Sequence, residues 1–110
     1  MTQRIIKFRA WDGSRMINDW LVVRQDPTGK AVQNAYSHAI EVMQFTGLLD
    51  KNGKEIYEGD LLSYMGNEPQ EVIFHKGTFC HKVSDGLYHI FGESDWEIIG
   101  NIYENKELLK

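Results

Sequence analysis

The chain has 110 residues, with 12 lysines and arginines against 16 aspartates and glutamates, for a formal charge of −4. That length fits one domain spanning residues 1–110, large enough to bury a single core. A composition of 42% hydrophobic and 25% charged residues excludes a mainly disordered chain, and the acidic balance excludes a binder that grips nucleic acid by bulk positive charge. Cys80 stands alone, so no intrachain disulfide forms, which suits a reducing compartment. The first residues, Met1-Thr2-Gln3-Arg4-Ile5-Ile6-Lys7, lack the apolar stretch of a signal peptide, and no apolar run approaches the roughly 20 residues of a membrane span. A cytoplasmic protein without membrane attachment is expected.

Periodicity along the chain is mostly that of strands. Ile6, Phe8 and Ala10 alternate with Lys7, Arg9 and Trp11, the period of two of a half-buried strand. Asp12-Gly13 supplies a hairpin turn, and a second strand runs from about Met16 to Val23. Gln25-Asp26-Pro27-Thr28-Gly29 reads as a loop. Between Lys30 and Ala39 alternation fails, and the alanines allow either a short helix or a plain loop. Strand character returns from Ile40 or Glu41 to Leu48, and Asp50-Lys51-Asn52-Gly53 turns the chain into a return strand, Lys54–Tyr57. Glu58-Gly59-Asp60 is another bend. Further strands follow over Leu61–Met65, Glu71–His75, Thr78–Val83 and Leu87–Phe91, separated by turns at Gly66–Pro69, Lys76-Gly77 and Ser84-Asp85-Gly86. The last strand, Trp96–Tyr103, is expected to bulge at Gly100, and Asn105 to cap a short turn over Lys106–Leu109. Short strands at regular spacing, each closed by Gly, Asn or Asp, predict an all-β fold: a small antiparallel barrel, SH3-like or partly open, with at most one or two helical turns.

Asp12, Gly13, Asn52, Gly53, Gly59 and Asp60 are the residues expected to shape the turns. At Gly53 and Gly59 the backbone needs conformations that a Cβ would penalise by about 1 kcal/mol or more. Asp60 can accept backbone N–H bonds and hold the bend. Asp50, Glu55, Glu58 and Asp60 together could also form a carboxylate cluster for a metal or for acid–base work. Turn chemistry with solvated strand ends explains them without a ligand and is preferred.

Three stretches carry a family resemblance. They are Lys7-Phe8-Arg9-Ala10-Trp11-Asp12, the long run from Met43 to Asp60 (Met43-Gln44-Phe45-Thr46-Gly47-Leu48-Leu49-Asp50-Lys51-Asn52-Gly53-Lys54-Glu55-Ile56-Tyr57-Glu58-Gly59-Asp60), and Ile98-Ile99-Gly100-Asn101-Ile102-Tyr103-Glu104-Asn105. Together they resemble the YopX family of phage and prophage proteins over nearly the whole chain. The resemblance implies a small, mostly β protein with a barrel-like core, encoded by a bacteriophage or a prophage of low-GC Gram-positive bacteria. It also implies oligomeric assembly. It supplies no catalytic residue.

Four chemistries remain to be weighed. His75, Cys80, His81 and His89 tempt as zinc ligands, but alternation points the neighbours Cys80 and His81 to opposite faces, and paired-cysteine spacing is lacking. No strained nucleophile turn, oxyanion loop or phosphate-cradling glycine motif occurs, so neither a catalytic residue nor a cofactor is assigned and no enzyme is expected. Lys7, Arg9 and Trp11 share one strand face, the kind of basic–aromatic stripe on which single-stranded nucleic acid could stack; a solvated outer face is the plainer reading. Edge strands and 12% aromatic residues suit contacts between proteins. The sequence therefore points to a non-enzymatic, oligomeric binding or assembly module, with an unknown phage or host protein as a further partner and a nucleic-acid-binding regulator as the alternative.

Overall fold

Ten strands and one 3-10 helix make up the computed structural model, which describes residues 6–23, 31–33, 41–66, 68–83, 86–90 and 95–109. In chain order the strands are β1 (Ile6–Trp11), β2 (Met16–Val23), β3 (Ala31–Gln33), β4 (Glu41–Leu49), β5 (Glu55–Tyr57), β6 (Asp60–Tyr64), β7 (Gln70–His75), β8 (Thr78–Val83), β9 (Gly86–His89) and β10 (Trp96–Asn101). The expected all-β, partly open barrel is what forms, built as a curled half-barrel sheet and a second sheet. The strand orders are β3-β2-β1-β4-β5 and β10-β6-β7-β8-β9, and neighbours pair antiparallel throughout. Among the described residues no helix is long and apolar enough to cross a membrane.

The turns follow from their residues. The Asp12 carboxylate accepts the N–H groups of Ser14 and Arg15, each at 2.8 Å, and Gly13 takes φ +103° between β1 and β2. Lys76 and Gly77 both lie at positive φ, the pairing that joins β7 to β8 through a two-residue turn matched to the strand twist. The expected bulge at Gly100 is present as a register shift between Ile98 and Gly100 against β6. Strand β10 stops earlier than Tyr103 because the Asn101 side chain accepts the N–H groups of Tyr103 at 3.0 Å and Glu104 at 2.9 Å, folding the chain back. Asn105 does not cap by its side chain: its Oδ1 accepts the Asn101 N–H at 3.1 Å, and its main-chain oxygen takes the Leu108 N–H. The undecided segment contains the short strand β3; three residues are too few to show a period. The Gln25–Gly29 loop and the remainder of Lys30–Ala39 lie outside the described residues.

Both sheets meet at the link between β5 and β6. There Gly59 donates its N–H to the Val72 oxygen at 2.8 Å and accepts the Ile102 N–H at 2.9 Å, so its backbone is clasped from two sides. Gly59 holds φ +85°, and a Cβ would come within 3.3 Å of Met43 Sδ. Only glycine meets both demands without strain. Strand β6 then runs with Asp60, Leu61, Leu62 and Ser63 all buried. Burial on both faces explains why Leu61-Leu62 shows no alternation. The core comprises Ile56, Leu62, Val72 and Trp96, with Leu48, Ile90 and Ile98 packed against it. Trp96 and His81 sit on strands separated by two others, yet their ring centroids are 4.8 Å apart. A flat sheet would space those strands by roughly 14 Å, so the second sheet curls strongly around its core.

Candidate functional site

The basic–aromatic face of β1 is not a solvated surface. Arg9 is 7% exposed, and Lys7 and Trp11 flank it against residues of β5, β6 and the turn after β10. Lys7 pairs with the Glu55 carboxylate and lies over the Phe45 ring. Arg9 donates from Nη2 to Asp60 Oδ1 at 2.8 Å and to the Glu58 oxygen at 3.2 Å, with its guanidinium 4.8 Å from the Tyr57 ring centre. Trp11 stacks on Tyr103, ring centroids 5.5 Å apart. The plain alternative, a solvated outer face, is thereby corrected: period-two alternation locates two faces but cannot tell what packs against either. Arg9 Nε is buried without a hydrogen-bond partner, an exception that native structures keep rare.

The acidic residues divide the same seam among themselves. Asp60 accepts Arg9 on one oxygen and the Tyr57 N–H, at 2.8 Å, on the other. Burial pushes its carboxyl above the usual value of 3.8, against the pull of Arg9 and of the Tyr57 bond. Asp50 is 5% exposed and accepts N–H bonds from Asn52, Lys54 and, across to β10, Ile98. Burial pushes its carboxyl up too, but those three donors and Lys54 outweigh it, and the group titrates below 3.8. The expectation of solvated strand ends therefore fails for Asp50 and Asp60, because each is the buried acceptor that closes its turn. Asn52 and Gly53 occupy the exposed tip of the same turn. Glu58 takes the Gln44 N–H at 2.9 Å, and Glu55 takes Lys7. Each carboxylate has its own partner, and among the described residues no three His, Cys, Asp or Glu side chains converge as metal ligands must.

Beside this seam opens a cleft of about 400 Å³. The Arg9–Asp60 pair lies in its wall, Lys54 closes the turn before β5, Glu55 opens β5, and Gly100, Asn101 and Glu104 come from the end of β10 and the turn that follows.

Cys80 and His81 point to opposite faces of β8, as alternation requires. Cys80 is buried, its Sγ 4.0 Å from the Thr78 oxygen. His81, on the other face of β8, bonds Gln70 through Nδ1 and packs between Trp96 and Tyr88; burial lowers its pKa below 6.5. His75 is exposed at the end of β7, and the His89 side chain lies outside the described residues.

One feature escaped sequence reasoning. Tyr64, Met65, Phe74, Leu87 and Tyr88, all on the second sheet or its turns, are exposed, Met65 to 77%. Val42 and Leu49 of the first sheet and Ile99 of the second are exposed as well, and single exposed apolar residues are ordinary; Tyr64, Phe74 and Tyr88 stand out because they share one face. Strand alternation placed these residues on faces, but cross-strand register brings Tyr64 to Trp96 and Tyr88 to His81.

A family model described as YopX protein matches residues 7–110. The chain belongs to the YopX family. Among solved structures this YopX-family fold is similar to the crystal structure of protein EF1440 from Enterococcus faecalis, with a TM-score of 0.68 and 28% sequence identity over 96% of this chain and 98% of that one. No curated protein matches it.

Proposed function

We propose that this YopX-family protein is a non-enzymatic binding module that assembles with copies of itself and presents a contact surface to a phage or host protein in the bacterial cytoplasm. The observation carrying this reading is the set of exposed side chains Tyr64, Phe74 and Tyr88, which register and alternation place on the Val72–Trp96 face of the second sheet. Aromatic residues and methionine are the types enriched in the cores of protein interfaces. Support over the nucleic-acid alternative comes from the seam. Lys7 and Arg9 already hold carboxylates, and Trp11 already stacks on Tyr103, so the stripe that would have contacted phosphate and bases has other partners.

Light scattering on the full chain at micromolar concentration tests the reading. A species larger than a monomer is expected, shifting toward monomer in Phe74→Glu and Tyr88→Glu with an unchanged circular dichroism spectrum. A strictly monomeric wild-type protein overturns it. Salt-sensitive binding of single-stranded DNA or RNA in an anisotropy assay would favour the alternative instead.

A further inference from the structure

We propose that the cleft between β5 and the end of β10 binds a small zwitterion carrying one carboxylate and one ammonium group. Its volume, about 400 Å³, lies in the range of small-molecule sites. Its charges fall into two kinds. The Arg9–Asp60 pair, with side chains 9% and 2% exposed, and the Lys7–Glu55 pair are neutralised within the protein. Lys54 and Glu104 form no ion pair among the described residues, although Lys54 also acts on the Asp50 carboxylate; both border the cleft, from different elements. Glu104 is held in place by the Asn101 Nδ2 donor at 2.7 Å, which leaves its second oxygen available.

Arg9 and Asp60 lie in the same wall, but their charges are closed on each other, which leaves Lys54 and Glu104 to set the polarity of the cleft. A ligand carboxylate is therefore attracted toward Lys54 and an ammonium toward Glu104. A lone anion meets Glu104 and a lone cation meets Lys54, so a molecule of one sign satisfies only half of the site. Gly100, in the same wall, leaves no room for a Cβ, which would lie 2.5 Å from Asn105 Oδ1 beside the turn that carries Glu104.

The test is a chemical-shift titration of the 15N-labelled full chain with glycine, 3-aminopropanoate and 4-aminobutanoate, a series in which the two charges move progressively apart. Sodium acetate and ammonium chloride serve as single-charge controls. At least one zwitterion is expected to give saturable shifts at the amides of Lys54, Gly100 and Asn101, with affinity falling at least tenfold in Lys54→Gln and in Glu104→Gln. Both variants replace side chains outside the core. Absence of saturable shifts with all three, equal shifts with acetate or ammonium alone, or undiminished binding by both variants overturns the proposal. Lys54→Gln and Glu104→Gln leave Phe74 and Tyr88 untouched, so failure of the titration and failure of self-association are read separately.

Discussion

Arg9 on β1 and Asp60 at the start of β6, 51 positions apart in the chain, meet at 2.8 Å across the junction of the two sheets. Both are almost fully buried, at 7% and 1% exposure. Removing one partner of such a pair strands the other in a medium of low polarity, at about 3–5 kcal/mol. Arg9→Met is therefore expected to destabilise the fold by that order, and Asp60→Asn by less, since the amide can still accept one N–H bond. In urea denaturation, the double variant should lose clearly less than the sum of the two single losses. Additive losses would show that the two residues do not act as a pair.

Asp50 predicts acid sensitivity. Its folded-state pKa lies below 3.8, so its contribution is present above that value and is lost as pH falls through the folded-state value. Asp60 has the opposite sign, because its raised value means that its titration favours the folded state below 3.8 and loses that effect as pH rises through the folded-state value. Asp50→Asn should cost about 1–3 kcal/mol at pH 6, because the amide keeps one oxygen for the Asn52 and Lys54 N–H groups but sets an NH2 donor against the Ile98 N–H. The stability gap to wild type should narrow as pH falls below 3.8. A gap independent of pH, measured by denaturation at each value, would remove the carboxylate from the explanation.

Gly59 and Gly53 separate two reasons for glycine. Both sit at positive φ, +85° and +80°, but an added Cβ meets Met43 Sδ at 3.3 Å in one case and nothing within 4 Å in the other. Gly53→Ala should cost about 1–2 kcal/mol of backbone strain alone. Gly59→Ala should cost more, because the clasped backbone of the sheet junction cannot shift to relieve the contact. Equal losses in thermal or chemical melts would contradict this.

Met65 holds φ +52° while 77% exposed, an unfavourable conformation for a side chain that contributes little to the core. Met65→Asn should raise stability by about 0.5–1 kcal/mol, since asparagine tolerates the left-handed region. The same variant should weaken self-association, because it removes the most exposed apolar side chain of the second sheet. A variant that is more stable and equally associated would take Met65 out of the contact surface.

How much of this was legible in one dimension depends on the range of the interaction. Strands β1, β2 and β4, the Asp12-Gly13 and Asn52-Gly53 turns and the Gly100 bulge rest on neighbouring residues, so period-two alternation and turn chemistry located them from sequence alone. Family membership was legible for a similar reason, since the run from Met43 to Asp60 keeps its turn residues in a fixed local order. What only the tertiary structure decided is which faces are covered. Lys7, Arg9 and Trp11 read as an outward stripe until Glu55, Asp60 and Tyr103 arrive from distant positions. Asp50 reads as a turn residue until the Ile98 N–H, 48 positions away, makes it a clamp between strands. Burial of a charge depends on the summed placement of both sheets, and alternation along one strand carries no information about what packs against it.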